Sequence, residues 1–143
     1  MKILSSIDTK EGFFHLRLDE ESSLLTTTET QPSYPPFGRI RWLRLPFGVN
    51  VVPEIFADRI HAALSGLKNI SIIADDILIT GSGKNEAEAI ADHNKNLRAL
   101  LNGCREKGIK LNKQKFKLNR SSIVLCRHQL TQDGVRLDPQ KVQ

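Results

Sequence analysis

The chain has 143 residues, enough for one domain with its own hydrophobic core and too few for two. Its 39% hydrophobic and 26% charged content excludes a disordered chain, and no apolar run approaches the ~18 residues that a membrane span needs. The net charge of +5 is unevenly placed, since residues 105–143 carry ten bases against three acids and the other 104 residues carry eleven bases against thirteen.

Taken in order, Lys2 to Ile7 reads as a short strand that exits at Asp8, followed by Gly12 and the aromatic pair Phe13-Phe14. The start of the chain lacks the long apolar segment of a secretory signal, so an intracellular, reducing environment is expected, with Cys104 and Cys126 as buried thiols and no disulfide. Leu18 to Ser22 suits a helical turn or an acidic loop, and the threonine-rich stretch Leu24 to Thr30 suits extended backbone. Gln31 to Pro36 is a proline-rich loop that cannot continue a sheet. Arg39 to Leu45 alternates like a strand until Pro46-Phe47-Gly48 breaks it.

From Val52, apolar residues recur three and four apart through Ile55, Phe56, Ile60, Ala63, Leu64 and Leu67, which predicts an amphipathic helix with Pro53 in its first turn. A second helix is expected over Glu86–Lys107, with Ile90, Leu97, Leu100, Leu101 and Cys104 on one face and Gly108 as its C-terminal cap. Short strands follow at Ile109 to Leu111, Lys115 to Leu118, Ile123 to Leu125 and Val135 to Leu137, with Asn112, Asn119 to Ser122 and Asp133-Gly134 as separators. The order of elements predicts an α+β fold, an antiparallel sheet with two helices packed on one face. The basic tail suits a polyanionic partner, although a solvated lysine-rich edge gives the same count.

Between the helices lies Ser71-Ile72-Ile73-Ala74-Asp75-Asp76-Ile77-Leu78-Ile79-Thr80. Two carboxylates inside a β-branched run are costly to desolvate unless they sit at its surface end, paired or bound to a cation. A tight hairpin with Asp75-Asp76 at the turn meets that requirement. If the Asp8 strand neighbours this hairpin, three carboxylates converge, a hard-oxygen set suited to Mg²⁺ or Mn²⁺. Two such ions ~3.5–4 Å apart would serve an in-line phosphoryl transfer.

Three other readings compete. A phosphoacceptor receiver domain also uses an acidic pair, but it needs a helix after the pair, and Ile77-Leu78-Ile79 is strand-like. A non-enzymatic nucleic-acid binder would use the basic tail and leave the acidic pair unexplained. A metal site at Cys126-Arg127-His128 lacks a second ligand pair, and His15, His61 and His93 are isolated.

The chain resembles the palm region of reverse transcriptases from long-terminal-repeat retrotransposons, in particular the gypsy-like (Ty3-type) group. The residues that carry the likeness run in family order: Ser6-Ile7-Asp8 with Gly12-Phe13; Phe37-Gly38-Arg39 through Trp42 to Gly48 with Pro53 to Phe56; Ile73 to Leu78; Lys107 to Asn112 with Lys115; then His128, Asp133-Gly134 and Asp138 to Val142. The resemblance implies a single palm fragment over 1–143, with residues 115–143 starting the connection toward the thumb. It implies RNA-directed DNA polymerase chemistry on an RNA/DNA primer-template with dNTPs, and two ions at Asp8, Asp75 and Asp76. Phe13 would exclude a 2′-hydroxyl, Phe47 and Gly48 would line the nucleotide pocket, and Lys115, in competition with Lys110 and Lys113, would face the triphosphate.

The sequence departs from the family pattern at several points. Ile73 replaces a tyrosine, His15 a glutamine and Arg127 a glycine, and Gln31 to Pro35 resembles an insertion. If the glycine at position 127 has positive φ, arginine there strains the turn by ~1–2 kcal/mol. These changes suit a decaying copy of an element. The fingers, thumb and RNase H segments of such a polyprotein are expected to lie outside the chain, leaving this fragment weak or inert alone.

Overall fold

The structure is a computed structural model and describes residues 1–33, 38–73 and 75–137. The proline-rich loop from Tyr34, Phe37, Ala74 and the segment Asp138 to Val142 therefore lie outside the described residues, in whole or in part. Nine strands and three helices are present among the described residues. They are β1 Lys2–Asp8, α1 Glu20–Leu25, β2 Thr28–Thr30, β3 Gly38–Ile40, α2 Val52–Ala63, β4 Ile70–Ile73 and β5 Asp76–Ser82. After these come α3 Glu86–Lys107, β6 Lys117–Arg120, β7 Ser122–Leu125, β8 His128–Thr131 and β9 Gly134–Leu137.

The central sheet has the order β4-β5-β1-β6 and is antiparallel throughout. One face carries both long helices, as the sequence predicts: Ile7, Ile77 and Ile79 pack against Phe56, Ile60 and Leu64 of α2 and its end, and Leu100 and Cys104 of α3. Each such buried side chain contributes roughly 1.5–3 kcal/mol. Leu4 and Leu78 on the opposite face meet Ile123 and Leu125 of β7. The sheet β7-β8-β9 thus closes the second face, and this is the face on which Asp8 and Asp76 project by strand alternation. All four residues of β9 are exposed.

Helix α3 has the predicted bounds. Asn85 Oδ1 accepts the Glu88 N–H at 2.9 Å at its start, and Gly108 adopts φ +69° at its end. Its buried stripe differs from expectation: Ala89, His93, Asn96, Leu100 and Cys104 face inward, Ile90 and Leu97 are half-buried, and Leu101 is exposed. The cause is close approach. A Cβ on Gly81 would collide with the Ala89 carbonyl and with His93, so the helix backbone lies directly on the strand at Gly81 and His93 is buried beside it. Asn96 then donates to the Thr80 carbonyl at 2.8 Å, which turns a polar side chain inward.

Other expectations need correction. The strand expected over Arg39–Leu45 ends at Ile40, because Leu45 N–H turns to the Leu16 carbonyl and Leu18 N–H to the Leu43 carbonyl, each at 3.0 Å. The stretch expected to be extended from Leu24 begins as the end of α1, capped by Asp19, whose carboxylate accepts the Ser22 N–H at 2.7 Å. Ile109 to Leu111 contributes only a single bridge, Thr9 to Leu111. Lys113–Lys115 is a 3-10 turn rather than the start of a strand. Asn119 and Arg120 belong to β6, and β8 was not expected. Cys104 is buried, and burial pushes its thiol up to about 11, but Cys126 is exposed. No described helix is long and apolar enough to cross a membrane.

Candidate active site

The site grows from the β1–β5 pairing. Asp8, the last residue of β1, stands opposite Asp76, the first of β5. The hairpin register pairs Ile73 with Asp76, and Asp75 precedes the second strand in turn conformation. Asp75 is therefore in the turn as expected, whereas Asp76 belongs to the strand. This matters because strand pairing fixes Asp76 against Asp8, while Asp75 is exposed on the tip.

Electrostatics follow from that placement. Burial, then the facing Asp8 carboxylate, pushes Asp76 above the usual carboxylate range. Asp8 Oδ2 accepts from Lys115 Nζ at 2.9 Å, with Asp8 13% and Lys115 68% exposed. Asp8 Oδ1 is buried without a hydrogen-bond partner. The bond to Asp8 holds the Lys115 ammonium above its ordinary value.

Two pockets flank the acids. One, of about 210 Å³, is lined by Asp8, Thr9, Glu11, Gly12, Phe13, Phe47, Phe56, Asp75 and Lys115. The other, of about 250 Å³, includes Asp76, Lys115, Lys117 and Leu125. Lys115 thus stands between the pockets, while Lys110 and Lys113 line neither. Phe13 forms a wall of the first, its ring 4.9 Å from Phe47 and 5.3 Å from Phe56. Gly12 permits that packing, since a Cβ there would come within 2.5 Å of the Phe56 ring and the Thr9 hydroxyl. Gly48 has φ +90° in open space and lies outside both pocket linings.

The structure thus brings Asp8, Asp75, Phe13, Phe47 and Lys115 to one pocket and sets Asp76, opposite Asp8, in the lining of the second. Sequence reasoning missed Glu11 and Lys117. Glu11 sits at φ 51°, a position its neighbour Gly12 gave no reason to expect. Lys117 was hidden among the tail's many bases, and only the β1–β6 pairing of Ser6 with Lys117 brings it beside Asp76.

Among the described residues no three His, Cys, Asp or Glu side chains form a ready-made metal cluster. The donor set nevertheless fits a hard divalent cation. An unpartnered buried carboxylate oxygen on Asp8 and two facing carboxylates that disfavour joint ionisation are both relieved by positive charge between them.

Comparison with known proteins agrees with this architecture. The enzymatic polyprotein of Cestrum yellow leaf curling virus is 33% identical over 137 residues, covering 94% of this chain and 20% of that protein. The retrovirus-related Pol polyprotein from transposon 412 of Drosophila melanogaster is 28% identical over 142 residues, 98% of this chain and 11% of the relative. The chain therefore spans 20% or less of the length of these curated relatives. Among solved structures, the foamy viral protease-reverse transcriptase in complex with dsDNA superposes with a TM-score of 0.77 at 25% identity, over 96% of this chain and 27% of that one. The same protein with an RNA/DNA hybrid also gives 0.77 at 25% identity, over 96% of this chain and 17% of that one. The sheet, its acid pair and the flanking pockets thus come from a chain that matches the family model "Reverse transcriptase (RNA-dependent DNA polymerase)" over residues 1–142, and the protein belongs to that family.

Proposed function

We propose that the chain is the palm of an RNA-directed DNA polymerase of the gypsy-like group, extending a primer 3′-hydroxyl with dNTPs. Residues from Lys115 onward would lead toward a thumb. The register of Asp8 against Asp76, beside a pocket walled by Phe13 and Phe47, carries this reading. The transposon 412 relative, aligned over 142 residues, supports the retrotransposon affiliation.

Asp8, Asp75 and Asp76 would hold two Mg²⁺ or Mn²⁺ ions. Such ions, when bound, polarise the hydroxyl and stabilise charge on the attacking and leaving oxygens. The chain's own residues do the rest. Phe13, fixed between Phe47 and Phe56, presents bulk to the sugar and disfavours a 2′-hydroxyl. Phe47, 61% exposed, offers an aromatic face to the incoming base, and Gly48 keeps the backbone beside it open. Lys115 supplies positive charge for the triphosphate, and the basic residues beyond Arg105 hold primer-template phosphates without reading sequence.

The rival reading is a catalytically inert nucleic-acid-binding remnant, favoured by Arg127 at φ 68°, where glycine is at home. Primer extension on poly(rA)/oligo(dT) separates the two, using the chain alone and joined to fingers and thumb segments of a relative. Metal-dependent dNTP incorporation abolished by Asp75→Asn supports the polymerase. Incorporation that survives in that variant removes Asp75 from the site, and template binding without any incorporation in the joined protein supports the remnant.

A further inference from the structure

Asp8 and Lys115 differ in how firmly they are held. Asp8 ends a central strand, is 13% exposed, and faces Asp76 across a fixed register. Lys115 closes a 3-10 turn, is 68% exposed, and has the Asp8 bond as the one described contact of its ammonium. A rigid acid is thus met by a cation on a long stem that rotates at small cost. The ammonium occupies Asp8 Oδ2, one of the two oxygens through which this carboxylate could bind a hard ion. Two facing carboxylates need positive charge nearby whatever else is bound.

We propose that Lys115 is a resident counter-ion that a divalent cation displaces, so the ion enters by exchange with the ammonium. This rests on the metal-binding role proposed above for Asp8. Exchange keeps the net charge around the acid pair from swinging by the full two units when an ion enters. It also releases the ammonium between the two pockets that Lys115 lines, where an arriving phosphate becomes its next anionic partner. Ion entry and anion capture are thereby coupled through one side chain.

Mn²⁺ binding to the full chain tests this, followed by the electron paramagnetic resonance signal of free Mn²⁺ at low salt and without nucleotide. Wild type, Lys115→Met, Lys115→Arg and Asp8→Asn are compared, with melting temperatures taken in EDTA. Displacement predicts that Lys115→Met binds Mn²⁺ about threefold tighter or better, as expected for removing one partly solvated competing charge. The same variant melts lower in EDTA and gains more from Mn²⁺ than wild type does. Lys115→Arg, which keeps a competing cation, binds no tighter than wild type. A lower melting temperature alone would come from any structural role, whereas tighter ion binding would not. Unchanged or weaker Mn²⁺ binding in Lys115→Met, with wild type still binding through Asp8, overturns the exchange and leaves the metal site intact. Failure of wild type to bind Mn²⁺, or binding that Asp8→Asn does not weaken, overturns both.

Discussion

Cys126 and Arg127 follow one another at φ 46° and 68° in the turn that joins β7 to β8, where the register pairs Leu125 with His128. A two-residue hairpin of this hand needs positive φ at both central positions, which glycine or asparagine adopts without strain. The stretch around Arg127 therefore holds strain that the pairing of the two strands must offset. Arg127→Gly is expected to raise stability by about 0.5–1 kcal/mol, after allowance for the greater freedom of glycine in the unfolded chain. Urea denaturation of the two proteins measures it, and a glycine variant no more stable than the parent refutes the account.

Asp8 and Asp76 predict a second gain of stability, here at a chemically important position. Like charges directly opposite in a sheet destabilise it, so Asp76→Asn is expected to stabilise the chain by about 0.5 kcal/mol in metal-free buffer. The same variant is expected to lose dNTP incorporation. Melting curves in EDTA and primer extension read the two effects separately.

Gly81→Ala tests the closest contact in the fold. The added methyl would meet the carbonyl of Ala89 and the backbone of His93, neither of which can swing away as a side-chain tip could. A loss of about 2–3 kcal/mol is expected, from lifting α3 off β5. Circular dichroism during thermal unfolding checks this, and a change below 0.5 kcal/mol would show that the helix yields freely.

Acid should weaken the chain through histidine. His93 is fully buried with Nε2 unpartnered, and burial lowers its pKa below 6.5, opposed by Asn94 and Asp92 beside it. Burial lowers His15 in the same direction. The unfolded chain then takes up protons that the folded chain refuses, so stability is intact above pH 6.5 and falls as pH drops below it. Urea midpoints measured between pH 7.5 and 5.5 should show the decline, and His93→Gln should flatten it.

Phe13→Val is expected to raise incorporation of ribonucleotides relative to deoxynucleotides by about tenfold or more, a difference of ~1.4 kcal/mol at the sugar. Paired incorporation assays on one template measure that ratio. No change would move Phe13 from the sugar to a purely structural place beside Phe56.

Features set by local chemistry were legible in the sequence. Helix α3 declares its end through Gly108, and the two helices share the expected face of an antiparallel sheet. Asp8 at a strand exit and Asp75 in a turn were readable from β-branched runs around charged residues. Features set by contacts between distant segments were not. The inward face of α3 depends on Gly81 and Thr80, and a helical wheel ranks His93 and Asn96 as surface residues. Segment 41–45 alternates like a strand but forms only an isolated bridge, of two hydrogen bonds, to residues 16–18. His128-Gln129-Leu130-Thr131 lacks the β-branched run that signals a strand, and only its neighbours β7 and β9 make it one.

Strand β9 has a practical consequence for handling the protein. Val135 and Leu137 are 63% and 69% exposed, and among the described strands β9 bonds only to β8. An exposed strand edge with bare aliphatic side chains is a template for pairing with another chain. Concentrated samples should therefore self-associate through this edge, and the single charge of Arg136 between two apolar residues offers little protection against precipitation during purification.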